Sequence, residues 1–145
     1  VMLDTVPPGP VQNDARWMQG TLTHPEKSAV VLVTLPEAMP VNETLELHRA
    51  LRDVVRIPVG AVVLNGAVPA AFSPAERALL RDPPAGTRLA AEAALSRETR
   101  AEQTERYGQK LRDELRLPQL ELPFLFTHRF GRAEVERMAS LLERA

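Results

Sequence analysis

Residues 29–34 have the sequence AVVLVT and residues 59–64 have the sequence VGAVVL, and these two stretches decide the fold. Both are apolar at nearly every position, whereas a strand with one wet face alternates apolar and polar residues. They therefore predict strands covered by helices on both faces, as in a parallel sheet. Weaker runs predict further strands at residues 1–3 and 120–126, the latter shortened by Pro123, which has no amide hydrogen to donate.

Helical patterns fill the gaps between the predicted strands. Within residues 42–55, apolar side chains recur at i, i+3, i+4 and i+7, and Asn42 is the expected N-cap. Further helices are predicted at residues 73–81, 87–115 and 131–145, whereas residues 4–28 are expected to form a loop. Strands alternating with helices predict an α/β fold with a mostly parallel sheet, in which strand 29–34 lies beside strand 59–64.

Composition bounds the class of protein. The chain has 145 residues, a formal net charge of -1 and no cysteine. This charge gives no basic surplus for nucleic acid, and the missing thiols exclude disulfides and thiolate metal sites. His24, His48 and His128 lie far apart without ligand spacing, so no metal site is predicted. No apolar run approaches the roughly 20 residues that span a bilayer, and the expected location is the cytoplasm.

In open α/β sheets, ligands bind at the carboxyl ends of the strands, so the residues that follow each strand are the candidates for a site. Asn65 ends the third predicted strand and is followed by a glycine. This pair is typical of a turn. A carboxamide also offers one acceptor and two donors, which complement the N6 amine and N7 of adenine. Both interpretations of Asn65 stay open on its residue type.

Residues 33–44, VTLPEAMPVNET, and residues 58–65, PVGAVVLN, resemble a known family. The family comprises the ArsA-type ATPases that energise arsenite export and their relatives that deliver tail-anchored membrane proteins, within the deviant-Walker P-loop ATPases. The resemblance covers residues 29–145. It implies that this part is the adenine-binding half of one P-loop ATPase domain and that residues 1–28 are a diverged, switch-like segment and linker.

The resemblance also implies roles for particular residues. Asn65 is similar to the asparagine with which the family reads adenine, and Pro123 and Phe124 begin a segment similar to the loop that covers the base. Asp4, followed by Thr5 and by Gly9, resembles the switch aspartate that holds Mg²⁺ through water. The implied cofactors are ATP or ADP with Mg²⁺ in the complete protein. The implied partners are a second subunit, as a homodimer or pseudo-dimer, and a membrane-protein client.

The sequence departs from the family in its phosphate site. No Gly-Lys-Thr loop occurs, and Lys27 and Lys110, the two lysines, follow no glycine. The chain alone is therefore expected to be inactive. We interpret it as the C-terminal part of a longer ATPase, because Val1 lies in a run that reads as a strand already in progress. The alternative is a non-enzymatic interaction module that kept the sheet and lost the phosphate loop.

The long predicted helix at residues 87–115 is rich in alanine, glutamate and arginine. Glu98, Glu102 and Arg106 are spaced by four residues, as is typical of a solvated face with ion pairs along the helix. A surface for a partner or client is the functional alternative for this helix.

Overall fold

The computed structural model describes residues 7–143. The predicted first strand and Asp4 lie outside these residues. The described elements are five α-helices, a π-helical turn and three strands. They run in the order α1 (Pro10–Leu22), β1 (Val30–Thr34), α2 (Ala38–Ala50), the π-turn (Leu51–Val55), β2 (Val59–Ala67), α3 (Pro74–Arg81), α4 (Arg88–Leu115), β3 (Gln119–Pro123) and α5 (Arg132–Leu142).

The three strands form one parallel sheet in the order β1-β2-β3. Val31 lies opposite Ala61, and Thr34 lies opposite Leu64. The predicted α/β class, the parallel pairing of the two apolar stretches and the helix that connects them are therefore confirmed. Because all three strands point the same way, their carboxyl ends meet at one edge of the sheet.

One face of the sheet carries the core. Leu32, Val62 and Leu64 are buried there against apolar side chains from α2 and α4. The helices contribute Val41, Leu45, Leu111 and Leu115 to this cluster. Gly108 brings α4 close to the sheet, since a Cβ atom at this position would lie 3.4 Å from the Leu64 side chain.

The other face of β1 is exposed, so the expectation that both faces are covered is wrong for this edge strand, whereas Val63 on the same face of β2 is buried. Val31 and Val33 alternate with the buried residues of β1 and are 54% and 63% exposed. The cause lies in where the helices pack. α2 and α4 contribute to the same core cluster, and α5 packs on β3 at the opposite edge of the sheet.

The helix before β1 was not predicted. α1 begins at Pro10 in its first turn, where the missing amide hydrogen of proline costs no helical hydrogen bond. Val11, Ala15, Met18 and Leu22 follow at helical spacing, yet no residue of α1 is buried. The prediction of a loop over residues 4–28 is therefore wrong for residues 10–22.

Other boundaries differ from the prediction by a few residues. α2 begins at Ala38 and not at Asn42, because Pro40 lies within the first turn, where helical amides have no partner. Asn42 does not cap this helix; its carboxamide oxygen accepts a hydrogen bond from Lys110 Nζ at 2.8 Å. β3 ends at Pro123, so the chain leaves the sheet before Phe124.

Three helices, α3, α4 and α5, begin within one residue of the predicted start. α3 starts after Ser73, whose hydroxyl accepts a hydrogen bond from the Glu76 amide, while Glu76 accepts one from the Ser73 amide. This reciprocal capping box satisfies two amides that have no helical partner. α4 spans 28 residues and ends at Leu115, within one residue of the predicted bounds.

Candidate functional site at the carboxyl ends of the strands

The structure brings together the ends of β2 and β3, as the sequence predicts. Asn65 lies directly opposite Leu122, and Ala67 lies opposite Pro123. The Phe124 amide donates a hydrogen bond to the Ala67 carbonyl at 2.8 Å, which continues the contact beyond β3. Asn65 and the segment that starts at Pro123 and Phe124 are therefore neighbours at the same end of the sheet.

The surroundings of Asn65 argue against a simple turn. The strand continues through Asn65 to Ala67, although the pairing with β3 is irregular between these two residues. Gly66 accounts for the irregularity, because its φ of +75° belongs to the left-handed region that favours glycine. The Asn65 carboxamide is half-buried and forms no hydrogen bond with another described residue. Its donors and acceptor are therefore not used to cap the loop.

The loop after β2 is fixed from the side of α4. The Val68 amide donates a hydrogen bond of 3.0 Å to the buried Thr104 hydroxyl. That hydroxyl in turn donates to the Arg100 carbonyl, one turn earlier in α4, at 3.0 Å. Both hydrogen-bonding functions of Thr104 are thus used, and the position of the loop is tied to the helix.

A cavity of about 420 Å³, here called the aromatic cavity, opens beside the end of β3. Phe124 and Phe126 lie edge to face in its wall with their ring centroids 4.8 Å apart. The volume lies within the range of about 300–1,000 Å³ that small-molecule sites occupy. The remaining lining residues are Pro69, Arg97, Pro123, Leu125, Thr127, Ala133, Glu134 and Arg137.

A second cavity of about 260 Å³, here called the edge cavity, joins the ends of all three strands. It shares Phe124 with the aromatic cavity. Gly66, the residue after Asn65, also lies in its wall. Arg100 and Gln103 add a guanidinium and a carboxamide from α4. Its other lining residues are Leu35, Pro36, Glu37 and Val68.

Sequence reasoning missed the residues that α4 contributes to these cavities. Arg97, Arg100 and Gln103 belong to a stretch that the charge pattern had assigned to a solvated face. The signal lies in the small or uncharged residues Ala101, Thr104 and Gly108, which are buried and recur at helical spacing. A helix with a row of buried small residues packs against the sheet along that row. Its neighbours Arg97, Arg100 and Gln103 therefore line the cavities at the strand ends.

Glu98 also differs from the prediction. Its side chain is only 5% exposed and pairs with Arg77 of α3, Nη1 to Oε1 2.9 Å, and not with residues along α4. Neither carboxylate oxygen accepts a well-aligned hydrogen bond among the described residues. The pair lines a larger cavity of about 580 Å³ between α3 and α4, but both Glu98 oxygens are sealed from it. We therefore interpret the pair as joining the two helices and not as a ligand site.

The described residues hold no group of three or more histidine, aspartate or glutamate side chains that could bind a metal ion. Asp4, the residue that resembles a Mg²⁺-holding switch aspartate, precedes the described part of the chain. Within residues 7–143, no helix is long and apolar enough to cross a bilayer.

The chain is related in sequence to proteins named as ATPases. It is 42% identical over 57 residues to ATPase BagA of Mycobacterium tuberculosis and to a Mycobacterium bovis protein, Mb3704, named as a candidate ATPase. The match covers 39% of this chain and 16% of the length of these relatives. No family model matches the chain. The match therefore relates part of this chain to proteins named as ATPases. It covers too little of these relatives for their activity to be assigned to this chain.

Proposed function

We propose that this chain is the adenine-binding part of an ATPase of the arsenite-export and tail-anchored-protein-targeting type. In the complete protein, ATP binding and hydrolysis would be coupled to anion transport or to the delivery of membrane proteins. The complete protein would work as a homodimer or as a pseudo-dimer of two similar halves.

The observation that carries the proposal is the pairing of Asn65 with the start of the segment after β3. Asn65 lies opposite Leu122, and Pro123 and Phe124 follow at once. The Asn65 carboxamide has no hydrogen-bond partner among residues 7–143. The aromatic cavity begins at Pro123, one residue beyond its register partner Leu122, although Asn65 itself is not part of the cavity wall. An apolar slot with a few converging polar groups is what a purine base requires. The ATPase names of the partial relatives point in the same direction.

The residues present fit the base and not the phosphates. Asn65 can pair with the N6 amine and N7 of adenine, and the rings of Phe124 and Phe126 offer apolar surface. The 145 residues contain no Gly-Lys-Thr loop that could cradle the β- and γ-phosphates. Phosphate and Mg²⁺ ligands are therefore proposed to come from elsewhere in the complete protein, so no step of hydrolysis is assigned to this chain.

The test is a titration of the chain with adenosine and with guanosine, in which NMR or calorimetry measures binding. We expect adenosine to bind more tightly than guanosine. Asn65→Ala should weaken adenosine binding by about 1–3 kcal/mol, because a buried polar contact is lost, and should reduce the preference over guanosine. Asn13→Ala, an exposed asparagine of α1, is the matched control and should change neither value. Absence of adenosine binding, or an Asn65→Ala variant with unchanged affinity and preference, contradicts the proposal.

The exposed face of β1 favours a second candidate, a non-enzymatic interaction module. Val31 and Val33 present apolar surface that no described element covers, and such surface is typical of an interface. The titration with adenosine and guanosine also distinguishes these two candidate functions. An interaction module has no reason to bind adenosine in a way that depends on Asn65, whereas the ATPase part requires it.

A further inference from the structure

The Arg97 guanidinium lies over an aromatic ring and forms no ion pair with a carboxylate among residues 7–143. Its guanidinium carbon lies 5.1 Å from the centroid of the Phe126 ring. Its Nε is buried without an acceptor, and its side chain has no ion pair or hydrogen bond with another described residue. Arg88 and Arg112 of the same helix both form ion pairs with glutamates. Arg97 therefore keeps an unneutralised, planar cation in the wall of the aromatic cavity.

The neighbours of Arg97 extend this arrangement of flat groups. Phe126 contacts Phe124 edge to face, and all three side chains line the same cavity. Guanidinium planes stack on aromatic and heteroaromatic rings, and proteins use both arginine and phenylalanine as platforms for nucleobases. A cavity whose wall combines these groups fits a flat, electron-rich ring better than it fits an aliphatic ligand.

We propose that Arg97 is a base-stacking residue, whose guanidinium plane packs against the face of the purine while Phe126 fixes the plane from behind. This inference rests on the proposed function and places the purine in the aromatic cavity, which Arg97 lines and which begins at Pro123, directly after the register partner of Asn65. It divides recognition between two residues. Asn65 reads the hydrogen-bonding edge of the base, whereas Arg97 contacts its face. Since every purine has a similar face, Arg97 contributes affinity without discriminating adenine from guanine.

The experiment compares Arg97→Lys with the unchanged chain, using adenosine and guanosine as probes so that no phosphate charge contributes. Lysine keeps the positive charge but has no planar group. We expect both nucleosides to bind roughly tenfold more weakly, with their ratio unchanged. Arg88→Lys, near the start of α4 and outside the aromatic cavity, is the matched control and should bind as the unchanged chain does.

Each other outcome overturns the inference in a recognisable way. If Arg97→Lys binds adenosine normally while Asn65→Ala does not, Arg97 does not stack and the proposed function stands. A change in the ratio of the two nucleosides would mean that Arg97 reads the edge of the base. Equal weakening in Arg88→Lys would show that the effect does not depend on the position of Arg97 in the aromatic cavity. If the unchanged chain binds no adenosine, the proposed function fails and the inference fails with it.

A second measurement needs no variant and is therefore independent of folding defects. The buried Nε–H of Arg97 gives a proton resonance in the unchanged chain that a stacked purine shifts upfield through its ring current. We expect this shift to saturate together with adenosine binding. Saturation of binding with no movement of the Arg97 resonance contradicts the inference.

Discussion

The Val68 amide and the Thr104 hydroxyl lie 3.0 Å apart and form a buried hydrogen bond between the loop after β2 and the middle of α4. Among the hydrogen bonds of residues 7–143, this is the one that joins a side chain of α4 to the backbone beside the candidate site. The position of Gly66, and with it that of Asn65, is thereby coupled to the packing of the long helix on the sheet.

Replacing Thr104 should therefore destabilise the fold. Thr104→Val keeps the shape of the side chain but leaves the Val68 amide buried without an acceptor, which costs about 1–3 kcal/mol in the free energy of unfolding. Thr99→Val is the matched control, since Thr99 is exposed and its hydroxyl also donates to the carbonyl four residues earlier. Urea unfolding of both variants measures the difference. Equal losses would show that the bond to Val68 contributes nothing.

Gly66 should resist substitution because of its backbone conformation and not for lack of space. Its φ is +75°, and a Cβ atom would meet nothing closer than Leu35 Cδ2 at 3.8 Å. Gly66→Ala is expected to cost about 1–2 kcal/mol, the penalty of the left-handed region for a side chain. Gly20→Ala in α1, with open space around it, should instead be neutral or slightly stabilising. A Gly66→Ala variant that unfolds at the same urea concentration as the unchanged chain contradicts this account.

The start of α3 should be sensitive to acid. The hydrogen bond from the Ser73 amide lowers the pKa of Glu76 below its ordinary value. Because the folded-state pKa is the lower one, the stabilisation is present above the ordinary glutamate pKa and is lost as the pH falls through the folded-state pKa. Hydrogen exchange of the Ser73 amide, measured between neutral and acidic pH, should accelerate in that window beyond the intrinsic rate.

Glu76→Gln should remove this acid dependence, since glutamine does not titrate. Glu92→Gln, at an exposed glutamate of α4, is the control and should leave the Ser73 profile unchanged. Persistence of the acid-dependent step in Glu76→Gln would assign it to another group.

The chain should release no phosphate from ATP. Positioning and charge neutralisation of the γ-phosphate require a glycine-rich loop with its lysine, and the sequence has none. A phosphate-release assay with ATP and Mg²⁺ on the purified chain measures this, with Asn65→Ala purified in parallel. Turnover that is equal in both preparations identifies a contaminating ATPase. Turnover that survives repurification and falls in Asn65→Ala contradicts the prediction.

Local patterns in the sequence were sufficient for much of the fold. The apolar runs predicted the paired strands β1 and β2, and Ser73 with Glu76 predicted the start of α3. These features depend on residues close together in the chain. The start of α2 was misplaced at Asn42, because the helix begins at Ala38 and its first turn tolerates Pro40.

The sequence by itself determined that Asn65 lies near the carboxyl end of a strand, because an apolar run and the polar residue after it are local features, although β2 continues to Ala67. Only the tertiary structure decided that Asn65 lies opposite Leu122 and that the Arg97 guanidinium lies over the Phe126 ring. Strand order and register join segments about sixty residues apart, and no local pattern specifies them. The exposure of Val31 also depends on the tertiary structure, because it is set by the face of β1 against which the helices pack.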